Sequence, residues 1–192
     1  MNIEIRKYNS EFSLNSDSRT VTGYGAVFDS ESQNIGWIEV IHKGAITEDT
    51  IKSSDIFAKF NHDNSKILAR SKNGEGSLSL TIDDRGLKYS FEAPKTALGD
   101  EVLEYINRRD ITASSFSFSV SPEEGSEKWY KKDGKIYRDI YKIAALYDVA
   151  PVFQPAYEDT SCNVSARFKE VEKTSLEIDS KMDLVMKEIN LL

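Results

Sequence analysis

The chain has 192 residues, 30% of them charged, with a formal net charge of −7 and one cysteine. The single cysteine excludes an internal disulfide and argues against a thiolate zinc site, which needs several ligands at set spacings. The negative balance disfavours binding to nucleic acid phosphates, and no apolar run approaches the roughly 20 residues of a membrane helix.

Read in order, Ile3 and Ile5 between polar neighbours suggest a first strand over residues 2–8, without the apolar core of a signal peptide. Residues 9–18 are rich in Ser, Asn and Asp and read as a loop. Residues 19–28 read as a strand in which Gly23 and Gly25 imply a bend or a close backbone approach. Residues 37–41 form another short strand, and residues 47–54 a short helix with Thr47 as N-cap. Residues 55–60 alternate in part and run into Asn61-His62-Asp63-Asn64, which places His62 at a strand end entering a turn. Residues 77–82 and 86–91 flank Asp83-Asp84-Arg85, a hairpin signal. Residues 96–108 give the clearest helix: Leu98, Val102, Tyr105 and Ile106 share one face, and Thr96 can cap it.

The most informative stretch follows that helix. From Ser115 to Val120 serine alternates with Phe116, Phe118 and Val120, the period-2 pattern of a half-buried strand. The pattern leaves two readings open. Either the serines face water, or one of them is a nucleophile. A nucleophilic serine needs a base within hydrogen-bond reach, and the chain has only His42 and His62 as imidazoles. Beyond it, Asp133-Gly134 is a strong two-residue hairpin turn between residues 129–132 and 135–140. Residues 143–153 form an apolar run that Pro151 is expected to bend or redirect. Ile178, Met182, Val185, Ile189 and Leu192 have the spacing of a helical seam. The expected organisation is a β-rich α+β domain over residues 1–166 and a C-terminal helical tail over residues 167–192. The many short strands suggest a closed or nearly closed antiparallel barrel with a few surrounding helices.

Several segments together resemble the prohead (capsid maturation) serine proteases of tailed bacteriophages, relatives of the herpesvirus assembly proteases. They are residues 23–28 (GYGAVF), 39–46 (EVIHKGAI), 60–63 (FNHD), 68–71 (LARS), 84–87 (DRGL), 115–120 (SFSFSV), 146–150 (LYDVA) and 155–157 (PAY). Each piece is short, and it is their order and spacing across residues 20–160 that carry the resemblance.

The resemblance implies a herpesvirus-protease-like fold and a Ser-His-acid triad with no metal and no cofactor. His62 matches the family's histidine motif and takes the role of base. The Phe-x-Phe that follows marks Ser115, not Ser114, as nucleophile. Ser114 and Ser117 stand where the family usually has Met and Gly, and Asp148 where it usually has Glu. Asp63 is the rival acid, but adjacent residues on an extended chain point apart, which favours Asp148. Arg70 and Arg138 lie near matching motifs and are candidates for oxyanion or substrate contact, with surface ion pairs as the alternative. His42 and Cys162 are expected to have no catalytic role. The implied partners are the major capsid protein and its scaffolding segment, with room for a homo-oligomer and no nucleic acid or membrane. The implied location is the assembling prohead in the bacterial host cytoplasm, with self-cleavage after residue 160. The rival reading is a catalytically inactive scaffold or assembly protein that keeps the fold.

Overall fold

Alternating side chains set most of the strands. The computed structural model describes residues 2–9, 12–15 and 19–153. In chain order the elements are β1 (Glu4–Asn9), β2 (Ser13–Asn15), β3 (Thr20–Val27), β4 (Ile38–Ile41), α1 (Glu48–Lys52), β5 (Asp55–Lys59), β6 (Ile67–Lys72) and β7 (Glu75–Gly76). There follow β8 (Leu78–Ile82), β9 (Gly86–Glu92), α2 (Ala97–Asn107), β10 (Ala113–Val120), β11 (Glu127–Lys132), β12 (Lys135–Ile140) and β13 (Ile143–Val152). The expected domain boundary at residues 166/167, the helical tail and Cys162 lie outside the described residues.

The strands pair into a six-stranded sheet in the order β1-β10-β13-β5-β6-β7, a three-stranded sheet β11-β12-β4 and a four-stranded sheet β2-β3-β9-β8. No closed ring of paired strands is found among the described residues, so the expected barrel is not seen as such. Nor is the pairing wholly antiparallel: β12 runs parallel to β4, and β13 parallel to β5.

Local signals account for the elements that position the site. Thr47 and Thr50 form a reciprocal capping box on α1, and Thr96 caps α2 by accepting from the Gly99 N–H. Asp133 and Gly134 both take positive φ, as a tight hairpin between β11 and β12 requires. Gly25 meets the expected need for close approach: a Cβ there would lie 3.0 Å from Val149 Cγ1 and 3.4 Å from Phe116 Cβ. The β3–β9 ladder shifts register between Tyr24 and Ala26, so this strand also bends.

Two differences bear on the site. β13 is not redirected at Pro151; it stays paired with β10 in regular register through Val152, while its ladder with β5 covers only Asp148 and Val149. And β10 is buried on both faces rather than half-wet. Phe116 and Phe118 stack on each other in the main core, 4.6 Å apart, and Ser115, Ser117 and Ser119 are covered as well.

A buried ionic cluster ties β1 to the three-stranded sheet. Arg6 donates to both carboxylate oxygens of Glu39, at 2.6 and 2.8 Å. Arg138 donates to Glu39, Glu127 and Glu4. Buried charges persist only when paired and hydrogen-bonded, and here each guanidinium meets more than one carboxylate.

Candidate active site

Three neighbouring strands of the six-stranded sheet carry the site. β10 supplies Ser115, β13 supplies Asp148, and the turn leaving β5 supplies His62. Ser117 pairs directly with Asp148 across the ladder, and Ser115 with Ala150. Because side chains repeat every two residues, Ser115, Ser117, Asp148 and Ala150 share one face. The turn that brings His62 over that face is closed by Phe60 N–H to Lys66 carbonyl and Asp63 N–H to Phe60 carbonyl bonds, each 3.0 Å. Asn61 and His62 both sit in the left-handed region, at φ 53° and 60°. Such conformations are costly for residues with a Cβ and cluster at functional sites. The Asn61 carboxamide oxygen holds the turn in place by accepting from the Phe153 N–H at 3.1 Å.

His62 Nδ1 lies 2.6 Å from Asp148 Oδ1, and His62 Nε2 lies 2.6 Å from Ser115 Oγ. An ionised Asp148 can only accept, so Nδ1 carries a proton toward it. In the neutral ring Nε2 is then the acceptor for the serine hydroxyl. Burial alone would push the Asp148 carboxyl up. The hydrogen bond and charge of His62, with smaller contributions from Ser117 and Lys59, outweigh it and hold the carboxyl below its ordinary range. Ser117 Oγ faces this carboxylate without a well-formed hydrogen bond.

The Ser115 hydroxyl has a second acceptor, the Arg6 carbonyl oxygen of β1, at 2.8 Å. One proton serves one of them at a time. When His62 is neutral, the hydroxyl can give its proton to Nε2. When His62 is charged, Nε2–H donates to Oγ and the hydroxyl proton turns to Arg6. The sequence offered no sign of this contact, because it depends on β1 pairing beside β10 with Lys7 opposite Ser115.

The alternatives fall elsewhere. Ser114 points to the other face of β10, with its Oγ 3.0 Å from the Tyr89 hydroxyl. Asp63 accepts from the Ser65 N–H and hydroxyl at 2.8 and 2.6 Å. His42 sits between Asp29 and Asp139, at 3.1 and 3.3 Å, and stacks on Tyr141. Arg70 is half-exposed and paired with both oxygens of Asp55, at 2.8 and 2.5 Å. Arg138 is 3% exposed and belongs to the carboxylate cluster above. Sequence reasoning missed Lys59, whose Nζ is 3.1 Å from the second Asp148 oxygen. The available signal was a cation three residues before the histidine on an otherwise apolar strand end. Among the described residues, no group of three or more His, Cys, Asp or Glu is placed to hold a metal ion, and no helix is long and apolar enough to cross a membrane.

The sequence profile of the caudovirus prohead serine proteases matches residues 2–175. The chain belongs to that family. Among solved structures, this prohead protease family member is similar in fold to the bacteriophage T4 capsid assembly protease gp21. The TM-score is 0.50 at 12% identity, over 80% of this chain and 98% of the T4 chain. No curated protein matches it in sequence. Family and fold together support a capsid maturation protease with a β-rich architecture and few helices.

Proposed function

We propose that this chain is an active serine endopeptidase that trims the scaffolding segment from the major capsid protein, and cuts itself, during prohead maturation. The observation that carries the reading is the unbroken hydrogen-bonded line Ser115–His62–Asp148, with 2.6 Å at each step. His62 Nε2 takes the Ser115 proton as Oγ attacks the peptide carbonyl. Asp148 fixes the ring and stabilises the imidazolium that forms. The same Nε2–H is given to the leaving amine, and His62 then activates the water that hydrolyses the acyl-enzyme. Arg70 and Arg138 are left out of this mechanism, because each is already committed to carboxylates and Arg138 would leave them buried and unpaired. A herpesvirus-protease-like barrel remains part of the reading, since β3 packs face to face with β10 through Gly25. The work is placed in the assembling prohead in the host cytoplasm, with self-cleavage after residue 160.

Co-expression with the shell protein tests this directly. Masses of all fragments should show trimming by the wild type, and Ser115→Ala should abolish it, a loss of about a million-fold. Unchanged trimming by Ser115→Ala removes the serine assignment.

One observation favours a second reading, a non-catalytic assembly protein. Ser115 is 0% exposed, so a substrate carbonyl reaches Oγ only after a neighbouring segment moves. A fluorophosphonate probe separates the two, because an inactive scaffold leaves Ser115 unmodified.

A further inference from the structure

We propose that Lys59 is a positioning residue for the His62–Asp148 pair: its ammonium grips the second carboxylate oxygen and so fixes the orientation in which Asp148 holds the imidazole. The inference rests on the proteolytic reading above and adds a residue to it.

Asp148 Oδ1 takes the His62 ring at 2.6 Å, and Oδ2 takes Lys59 Nζ at 3.1 Å. Lys59 also donates to Asn64 Oδ1 at 2.8 Å. Both partners are sheltered, with side chains 13% and 7% exposed, so the pair is less screened than a surface bridge. One short segment therefore delivers three parts of the site. Lys59 closes β5 just beyond its two-residue ladder with β13, His62 occupies the turn, and Asn64 holds the ammonium. A carboxylate held at both oxygens cannot rotate, and the direction of its lone pairs fixes the plane of the imidazole.

Around His62 stand the Asp148 carboxylate from β13, the Lys59 ammonium from β5, and the Ser115 and Ser117 hydroxyls from β10. The Arg6 guanidinium of β1 is taken by Glu39 and Glu4, Asp63 turns to Ser65, and Lys66 lies over the Phe60 ring. Lys59 is thus the sheltered cation on the Asp148 carboxylate, and a neutral side chain in its place would leave Oδ2 free to turn away from the ring's plane.

The test is the rate of fluorophosphonate labelling of Ser115 per folded molecule, for the wild type, Lys59→Met, Lys59→Gln and Lys59→Arg. The neutral variants should label about tenfold more slowly. Lys59→Arg should recover the wild-type rate to within about threefold. A merely structural lysine would lower the melting temperature and reduce labelling only in step with the fraction unfolded, and that result overturns the proposal. So does a Lys59→Arg that folds while neither neutral variant does, since the pair would then hold the fold and not the ring. Failure of the wild type to label at all, or equal labelling of Ser115→Ala, brings down the proteolytic reading itself and this inference with it.

Discussion

Ser117 lies directly opposite Asp148 across the β10–β13 ladder, and the ladder shifts register immediately afterwards, between Ser117 and Phe118. The regular part, residues 113–117, is what aligns Ser115 with the His62–Asp148 pair. A slip of one residue would turn the whole set to the opposite face. Ser117 itself holds this geometry by backbone pairing rather than through its hydroxyl, which has no well-formed bond. Ser117→Ala should therefore change the labelling rate of Ser115 by less than about threefold and stability by less than about 1 kcal/mol. A loss beyond tenfold in labelling kinetics would mean the hydroxyl, not the register, secures Asp148.

The histidine turn makes a backbone prediction. Asn61 takes φ 53°, where glycine is comfortable and β-branched residues are not. Asn61→Gly keeps the conformation and loses only the bond to the Phe153 N–H. Asn61→Val loses both. The expected cost is about 1 kcal/mol for glycine and at least 2 kcal/mol for valine. Valine should also slow labelling by more than tenfold, because the ring that follows is displaced. Equal melting temperatures and equal labelling for the two variants would contradict this.

Residue order alone goes only part of the way to this candidate site, and the choice of Ser115, His62 and Asp148 among the alternatives rests on the resemblance to the prohead proteases. The alternation from Ser115 to Val120 marked the strand, and the chain offered only two imidazoles as bases. What the alternation could not show is that the serine face is covered too, by the His62 turn over Ser115 and the Tyr147 hydroxyl on Ser119. Period-2 spacing reports a change of face, not whether that face is wet, and here both are buried. Pro151 is expected to bend or redirect its strand because a proline removes one ladder donor. Yet it lies past the β5 ladder, where β13 still pairs with β10, and its carbonyl accepts from the Asn61 N–H at 3.2 Å. The parallel pairs were hidden for another reason: each joins strands far apart in the chain, and no local signal encodes such a partner. The same holds for Arg6 and Glu39, 33 residues apart.

Asp148 links stability to acid. Its folded value is depressed below the ordinary 3.8. A depressed carboxyl stabilises the fold fully above its unfolded value, and that contribution is lost as pH falls through the folded value. The wild type should thus lose melting temperature below about pH 4 more steeply than Asp148→Asn, which has no such proton to take up. At neutral pH the amide variant should label Ser115 far more slowly, because it can no longer hold the Nδ1–H form of His62 by charge; a drop of about 10,000-fold is the upper expectation. Parallel acid-unfolding curves for the two proteins would show that Asp148 does not carry this linkage, and unchanged labelling would move the third role elsewhere.

The ionic cluster behind β1 gives the largest expected effect on stability. Glu39 is 2% exposed and accepts from both Arg6 and Arg138. Removing one member of a buried charged set leaves the others uncompensated, at a cost of about 3–5 kcal/mol. For a domain of this size that is about 6–20 °C in melting temperature. Glu39→Gln keeps the shape and removes the charge, so the loss would be electrostatic rather than a packing cavity. The effect should reach the site, because Arg6 is the residue whose carbonyl meets Ser115 Oγ. Loosening its side chain should raise amide hydrogen exchange along β1, from Glu4 to Asn9, before the rest of the sheet. As β1 loosens, its Arg6 carbonyl should compete less well with His62 for the serine proton, so that labelling of Ser115 per folded molecule rises rather than falls. A fall in labelling matched to the fraction unfolded would show that the Arg6 carbonyl plays no part in the state of Ser115.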